Sequence, residues 1–195
     1  TTGADSFTGN TGDDTFAGSE IGGVAVWSVG DALDGGAGTD VFSVDQTAAI
    51  TGPVGVSVVG IETANLTSSS TIAVDASGWT GLTALNITSV GGAGTVTAAA
   101  TTAVTATNTG ANAVTLVGGL SQTVTTVDNV VLSGSVGAVS ATSSALDAAT
   151  TVDGGTTVAV TATGVTANGT ITVGATTAAS GAVTVSSTSS AVDTT

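Results

Sequence analysis

The sequence predicts an all-β chain, a parallel β-solenoid of the β-roll or β-helix kind with a short, acidic, glycine-rich head at its N-terminal end. Three observations carry that prediction. Thr, Ser, Val, Gly and Ala dominate the 195 residues; the β-branched members favour pleated strands, while the strong helix formers Lys, Arg, Met, Glu and Gln are scarce or missing. From about residue 50 onward the chain reads as short bursts of alternating β-branched and small or polar residues, broken by Gly, Asn, Asp or Ser. And eight of the 14 acidic residues (Asp5, Asp13, Asp14, Glu20, Asp31, Asp34, Asp40 and Asp45) fall in the first 45 positions.

That charge boundary divides the chain into a head, 1–50, and a body, 51–195. Within the head the glycine and aspartate spacing repeats. Gly35-Gly36-Ala37-Gly38-Thr39-Asp40-Val41-Phe42-Ser43 matches every fixed position of the nonapeptide G-G-x-G-x-D-x-U-x, where U is a large apolar residue. Gly9-Asn10-Thr11-Gly12-Asp13-Asp14-Thr15-Phe16-Ala17 matches with Asn for the second glycine, and Thr2 to Thr8 form a truncated copy directly before it, in frame. Gly18 opens a third copy, but Ser19 to Val29 intervene before Gly30-Asp31-Ala32-Leu33-Asp34 restores an aspartate and an apolar residue at the expected places. The first six positions predict a turn and the last three a strand, with U plugging the interior. Ser19 to Val29 are then an excursion whose Trp27 covers apolar surface, Asp5 shares a side with Asp31, and Asp14 shares a side with Asp40.

The chemistry of such turns is that of a hard-cation cage. Glycines let backbone carbonyls turn inward, at Gly9, Thr11, Gly12, Gly36 and Gly38. The carboxylates of Asp5, Asp13, Asp14, Asp31 and Asp40 add charge, and calcium, which wants six to eight oxygens, suits the mixture. With no His and no Cys in the chain, zinc and copper lack their usual ligands.

The body's strands are expected at Val56 to Val59, Ile61 to Leu66, Thr71 to Val74, Ala84 to Thr88, Ala103 to Thr107, Ala113 to Val117, Val136 to Ser140, Thr157 to Thr163, Thr170 to Val173 and Ala182 to Ser186. Gly91-Gly92, Gly118-Gly119 and Gly154-Gly155 suit turns that need positive φ. Many short strands fit a sandwich or a solenoid. Composition favours the solenoid, because a sandwich gap of roughly 10 Å wants larger side chains than Val, Ala and Thr, whereas stacked coils tolerate a narrow interior. Pro53, which cannot donate to a ladder, belongs in a connection. Asp75, Asp128, Asp147, Asp153 and Asp193 read as solvated turn residues, Trp79 as a capping aromatic, and the Asn of the N-x-T triplets at 65, 86 and 168 as ladder or turn residues.

Composition also removes whole classes of function. A chain with no Lys or Arg and a formal charge of −14 has nothing with which to neutralise nucleic-acid phosphates and is repelled by anionic lipid. No apolar run reaches the length of a membrane helix, and no basic, apolar leader stands at the start. Without His, Cys, Lys, Tyr or Arg, the residues from which catalysts are usually built are missing. Only a carboxylate pair such as Asp13 and Asp14 remains, and the turn motif already claims it. An enzyme is therefore not expected.

The head, TGADSFTGNTGDDTFAGSEIGG with VGDALDGGAGTDVFSV after it, resembles the RTX-type calcium-binding repeats of bacterial secreted proteins. The continuation, with its GIETANLTS and GLTALN segments, resembles the stretch next to that head in Caulobacter-type S-layer proteins; the likeness covers about the first hundred residues, the remainder being similar in style only. The resemblance implies a calcium-bound β-solenoid exported by a type I system and assembled with copies of itself into a lattice at the bacterial cell surface, calcium lying on Asp5, Asp14, Asp31, Asp40 and the neighbouring glycines. A stalk segment of an RTX-type adhesin or biofilm matrix protein is the alternative, and a cell-surface polysaccharide is a further candidate partner. The interrupted head leaves the number of calcium ions open, and the missing C-terminal secretion signal predicts that the chain is a segment of something longer.

Overall fold

The computed structural model describes residues 3–144, 148–163, 169–188 and 193–194. Among them there is no helix, and every pairing between named strands is parallel. The chain is a β-solenoid. In order the strands are β1 Ser6–Thr8, β2 Thr15–Ala17, β3 Ala32–Asp34, β4 Val41–Gln46, β5 Ile50–Thr51, β6 Ser57–Val59, β7 Thr63–Ser68, β8 Ile72–Ala76, β9 Ala84–Ser89 and β10 Ala93–Ala98, then β11 Ala103–Asn108, β12 Val114–Gly118, β13 Ser121–Thr126, β14 Val130–Ser135, β15 Val139–Ser143, β16 Thr150–Gly154, β17 Val158–Ala162, β18 Thr170–Val173, β19 Val183–Ser187 and β20 Asp193–Thr194.

They form three sheets. A nine-stranded sheet runs β2-β4-β7-β9-β11-β13-β15-β17-β19, an eight-stranded sheet runs β5-β8-β10-β12-β14-β16-β18-β20, and a short sheet holds β1-β3-β6. Parallel neighbours require a crossover between them, and here each crossover is a strand of the facing sheet, which is what coils the chain. The nine-stranded sheet is in register without interruption from β4 to β17. The eight-stranded sheet slips at Ala93/Val96 and again at Ser133/Ser135.

The coil tightens from the head as far as β15 and lengthens again after it, Val183 of β19 stacking on Val158 of β17 across the longer loop between them. Residues stacked on one another in the nine-stranded sheet are separated by 26 positions between Asp14 and Asp40, 22 between Ser43 and Asn65, 21 between Asn65 and Asn86, 19 between Ser89 and Asn108 and 18 between Asn108 and Thr126. The head's coils are long because they carry the excursion between β2 and β3, in which Ile21 and Val24 pair across Gly22 and Gly23. The next coils are three-sided: β4, β5 and β6 lie on three sheets, and Val59 still bridges Thr80 one coil later. Beyond β9 the coil has two sides only.

The interior follows this cross-section. Trp27, Phe42 and Trp79 meet edge to face, with centroids 5.3 Å apart for Trp27–Phe42, 5.8 Å for Trp27–Trp79 and 6.2 Å for Phe42–Trp79. Trp79 is thus buried in the core rather than a cap on the solenoid. The rest of the interior is filled by Leu66, Ile72, Leu85 and Ile87 and, in the two-sided coils, by Leu116 and Leu132 with Val and Ala between them, each of the larger buried side chains stabilising by about 1.5–3 kcal/mol. Pro53 lies in the connection between β5 and β6, as expected.

One inward column is polar. Gln46, Ser68, Ser89, Asn108, Thr126 and Ser143 stack at the corner that ends the strands β4, β7, β9, β11, β13 and β15 of the nine-stranded sheet, all buried. Buried polar groups must find partners. Asn108 donates through Nδ2 to the Gly110 and Asn112 carbonyls at 2.8 and 2.9 Å, closing its corner, and Ser68 and Ser143 donate to the Ala48 and Asp128 carbonyls. On the outward face Asn86 donates to Asn65 Oδ1 at 2.9 Å, so these two asparagines are ladder residues. Asp147 and Asn168 lie outside the described residues.

Candidate cation-binding turns

All four head strands begin one residue after an aspartate. Asp5, Asp14, Asp31 and Asp40 precede β1, β2, β3 and β4, so positions seven to nine of each motif copy form the strand. Because β1 pairs with β3 and β2 with β4, Asp5 stacks over Asp31 and Asp14 over Asp40, as the spacing predicts. The plugging residues are buried where a coil lies on both sides: Leu33 and Phe42 are core, Phe16 packs against it, and Phe7, on the outermost strand of the short sheet, is 49% exposed.

On the edge entering the nine-stranded sheet the two turns nest. Ala37 N–H donates to the Asn10 carbonyl at 3.1 Å and Val41 N–H to the Asp14 carbonyl at 2.9 Å. Asp40 Oδ1 accepts the Asp14 N–H at 2.7 Å, and Asp13 Oδ1 accepts the Thr39 N–H at 2.8 Å. Asp14 closes its own turn, Oδ2 accepting the Asn10 N–H at 2.7 Å and Oδ1 the Asn10 amide at 3.1 Å. The glycines are there for room. A Cβ on Gly9 would sit 2.2 Å from the Gly35 carbonyl oxygen, and one on Gly38, where φ is 138°, 2.6 Å from the Gly12 carbonyl oxygen. Gly36 holds φ at 88°. Gly12, Thr11 and Asp13 lie at the exposed tip of the first turn.

On the other edge Asp31, buried, accepts the Asp5 N–H through Oδ1 at 2.9 Å and the Ser28 N–H through Oδ2 at 2.7 Å. Ser28 also donates from Oγ to the Gly3 carbonyl at 3.1 Å. The end of the excursion is thereby tied to both copies of the motif on this side, a role the sequence does not indicate.

Glu62 is likewise invisible in the motif spacing. It comes after Asp40 in the same column, one coil later, and its Oε2 accepts the Asp40 N–H at 2.7 Å. The step is 22 residues, shorter than the head's 26, so no fixed period leads to it. The column then continues with Thr83 and Thr102, whose hydroxyls donate to the Glu62 and Leu82 carbonyls.

The turns fit a hard cation. Every donor offered is oxygen, from carboxylates or backbone carbonyls, and one oxygen, Asp40 Oδ2, is buried without a hydrogen-bond donor. Among the described residues no three carboxylates converge, so a cation here draws on carbonyls as well. Of the acidic residues beyond Glu62, Asp75, Asp153 and Asp193 stand on β8, β16 and β20 rather than in turns as expected, while Asp128 does lie in a turn. Asp75 Oδ1 accepts the Ser77 hydroxyl at 2.6 Å and the Ser77 N–H at 3.0 Å, and these two bonds hold its carboxyl below the ordinary value of 3.8. Asp153 Oδ1 accepts the Thr176 N–H at 2.8 Å from the next coil, and Asp128 caps the Asn129 N–H. A recess beside the head, lined by Phe7, Phe16, Ile21, Trp27, Leu33 and Phe42 among others, has Asp31 as its one ionisable lining residue, and both of that carboxylate's oxygens are already engaged.

No protein-family model matches the chain, and no curated protein matches it in sequence.

Proposed function

We propose that this chain is a non-enzymatic structural solenoid of a bacterial surface layer or fibre, exported to the cell exterior and held together by calcium. The observation that carries the reading is the stacking of Asp14 over Asp40 in two nested glycine turns, in a protein with 14 acidic residues and no Lys or Arg. A polyanion of this kind has no internal counter-charge, so its acidic edges repel both within the coil and between copies unless divalent cations lie between them. A calcium ion bound across the first two coils supplies that charge. Asp14, Asp40 and the carbonyls around Gly9 and Gly35 would hold it on one edge, and Asp5 and Asp31 lie on the other.

Binding energy gained only in the coiled state is folding energy. Extracellular calcium modules work at about 10⁻⁴ to 10⁻³ M, concentrations the cytosol does not supply, so the chain stays loose inside the cell and coils outside it. The in-register outer face of the nine-stranded sheet carries Thr67, Thr88, Thr107, Thr125, Thr142 and Thr161 in one column, with Asp45 next to Thr67 at its head-proximal end. Negative-stain microscopy of the purified chain tests the proposal: ordered sheets or filaments form in calcium and disperse in EGTA. Monodisperse particles in both conditions would remove the assembly role and favour a stalk.

A further inference from the structure

Two successive turns on one edge of the solenoid share one arrangement and differ at one atom. In the first, the place a Cβ on Gly9 would take is 2.2 Å from the Gly35 carbonyl oxygen and 2.6 Å from Asp14 Oδ2. In the second, the same place on Gly35 is 1.9 Å from the Gly60 carbonyl oxygen and 2.5 Å from Asp40 Oδ2. The second turn is thus stacked on the third coil as the first is stacked on the second.

The difference lies in the donors. In the first turn the Asn10 N–H reaches Asp14 Oδ2. In the second, the equivalent N–H, on Gly36, goes to Asp34 Oδ1 at 3.1 Å instead. Asp40 is 1% exposed, and its Oδ2 receives nothing. A carboxylate oxygen buried beside a carbonyl oxygen with no positive group to meet it is strongly disfavoured.

The third coil at this point reads Val59-Gly60-Ile61-Glu62, with neither the glycine pattern nor the aspartate of the motif. It nevertheless places a carbonyl at Gly60 and a carboxylate at Glu62 against the second turn. We propose that Asp40 Oδ2, the Gly60 carbonyl and the Glu62 carboxylate hold a further calcium ion, one coil past the end of the glycine-rich motif. Water completes the six to eight oxygens calcium requires. This inference rests on the reading of the Asp14 and Asp40 turns as calcium-binding.

The test is calcium titration of the chelator-stripped full chain by calorimetry, for wild type, Glu62→Gln and Asp14→Asn. Gln keeps an oxygen for the Asp40 N–H and removes the charge. Glu62→Gln is expected to bind one calcium fewer per chain than wild type, and Asp14→Asn to keep the ion at Glu62. Equal stoichiometry and affinity in wild type and Glu62→Gln would overturn the further site while leaving the motif turns as calcium sites. A wild-type chain that binds no calcium would overturn both. Should Glu62→Gln fail to coil, Glu62→Asp retains the charge on a shorter arm; it is expected to weaken one site only, and unchanged affinities would again overturn the inference.

Discussion

Asp40 accepts the backbone N–H of Asp14 through Oδ1 at 2.7 Å, 26 residues away in sequence and one coil away in space, while its own Oδ2 is buried without a donor. One side chain therefore holds two coils together and carries an unmet charge. Asp40→Asn separates the two roles. It keeps the acceptor for Asp14 and replaces the bare anionic oxygen by an amide that donates. In EGTA the variant is expected to be more stable than wild type, and in millimolar calcium less so; urea unfolding in the two conditions reads the crossing. Asp40→Ala, which abandons the Asp14 N–H, loses about 1–3 kcal/mol in either condition.

Gly35 and Gly78 predict opposite outcomes for one substitution. A Cβ at Gly35 meets the Gly60 carbonyl oxygen at 1.9 Å, whereas at Gly78 nothing lies within 4 Å. Gly35→Ala therefore forces the second and third coils apart and is expected to destabilise by about 1–3 kcal/mol or more. Gly78→Ala stays within about 0.5 kcal/mol of wild type, as surface changes usually do. Denaturant midpoints measured side by side check both.

The two kinds of asparagine differ in the same way. Asn108 is buried and satisfies two corner carbonyls, so Asn108→Ala leaves those acceptors in the interior at about 1–3 kcal/mol. Asn86 bridges to Asn65 on the open face, where water replaces the lost bond, and Asn86→Ala costs about 1 kcal/mol or less. Equal effects at the two positions would contradict the assignment of the polar column to the interior.

Asp75 carries a pH prediction. The Ser77 hydroxyl and N–H both favour its charged form and depress its folded pKa. A depressed carboxyl contributes stability above its unfolded pKa and loses it as pH falls through the folded value. An NMR titration of the Asp75 carboxyl is expected to give a midpoint below 3.8, and Ser77→Ala to move it upward. A midpoint that does not respond would show that the turn is not formed.

How much of the molecule is legible in its sequence depends on what fixes each turn. In the head, an aspartate at position six and glycines around it define the turn chemically, so the strands starting at Ser6, Thr15, Ala32 and Val41, and the pairing of Asp5 with Asp31 and of Asp14 with Asp40, are readable once Ser19 to Val29 are set aside. Most of the paired body glycines are legible too: Gly92, Gly118, Gly119, Gly154 and Gly155 all hold positive φ. The body's strand boundaries are less so. Ala93–Ala98, Ser121–Thr126, Val130–Ser135 and Thr150–Gly154 are strands that the bursts do not mark, and Val136 and Gly137 belong to the turn before β15 rather than to it. Gln122 and Thr126 point inward, which breaks the apolar alternation by which a strand is recognised. Trp79 reads as a cap because a sequence does not reveal that the coil is three-sided at that point. Glu62 is hidden because the coil length changes between Asp40 and it.

If divalent cations between glycine-bent turns hold this polyanionic coil together, the thermal unfolding midpoint of the full chain, measured by circular dichroism across a calcium series and in EGTA, reports on them most directly. The midpoint is predicted to climb with free calcium and to collapse in EGTA, with magnesium a poor substitute. A midpoint identical in calcium and in EGTA would contradict the role given to those ions.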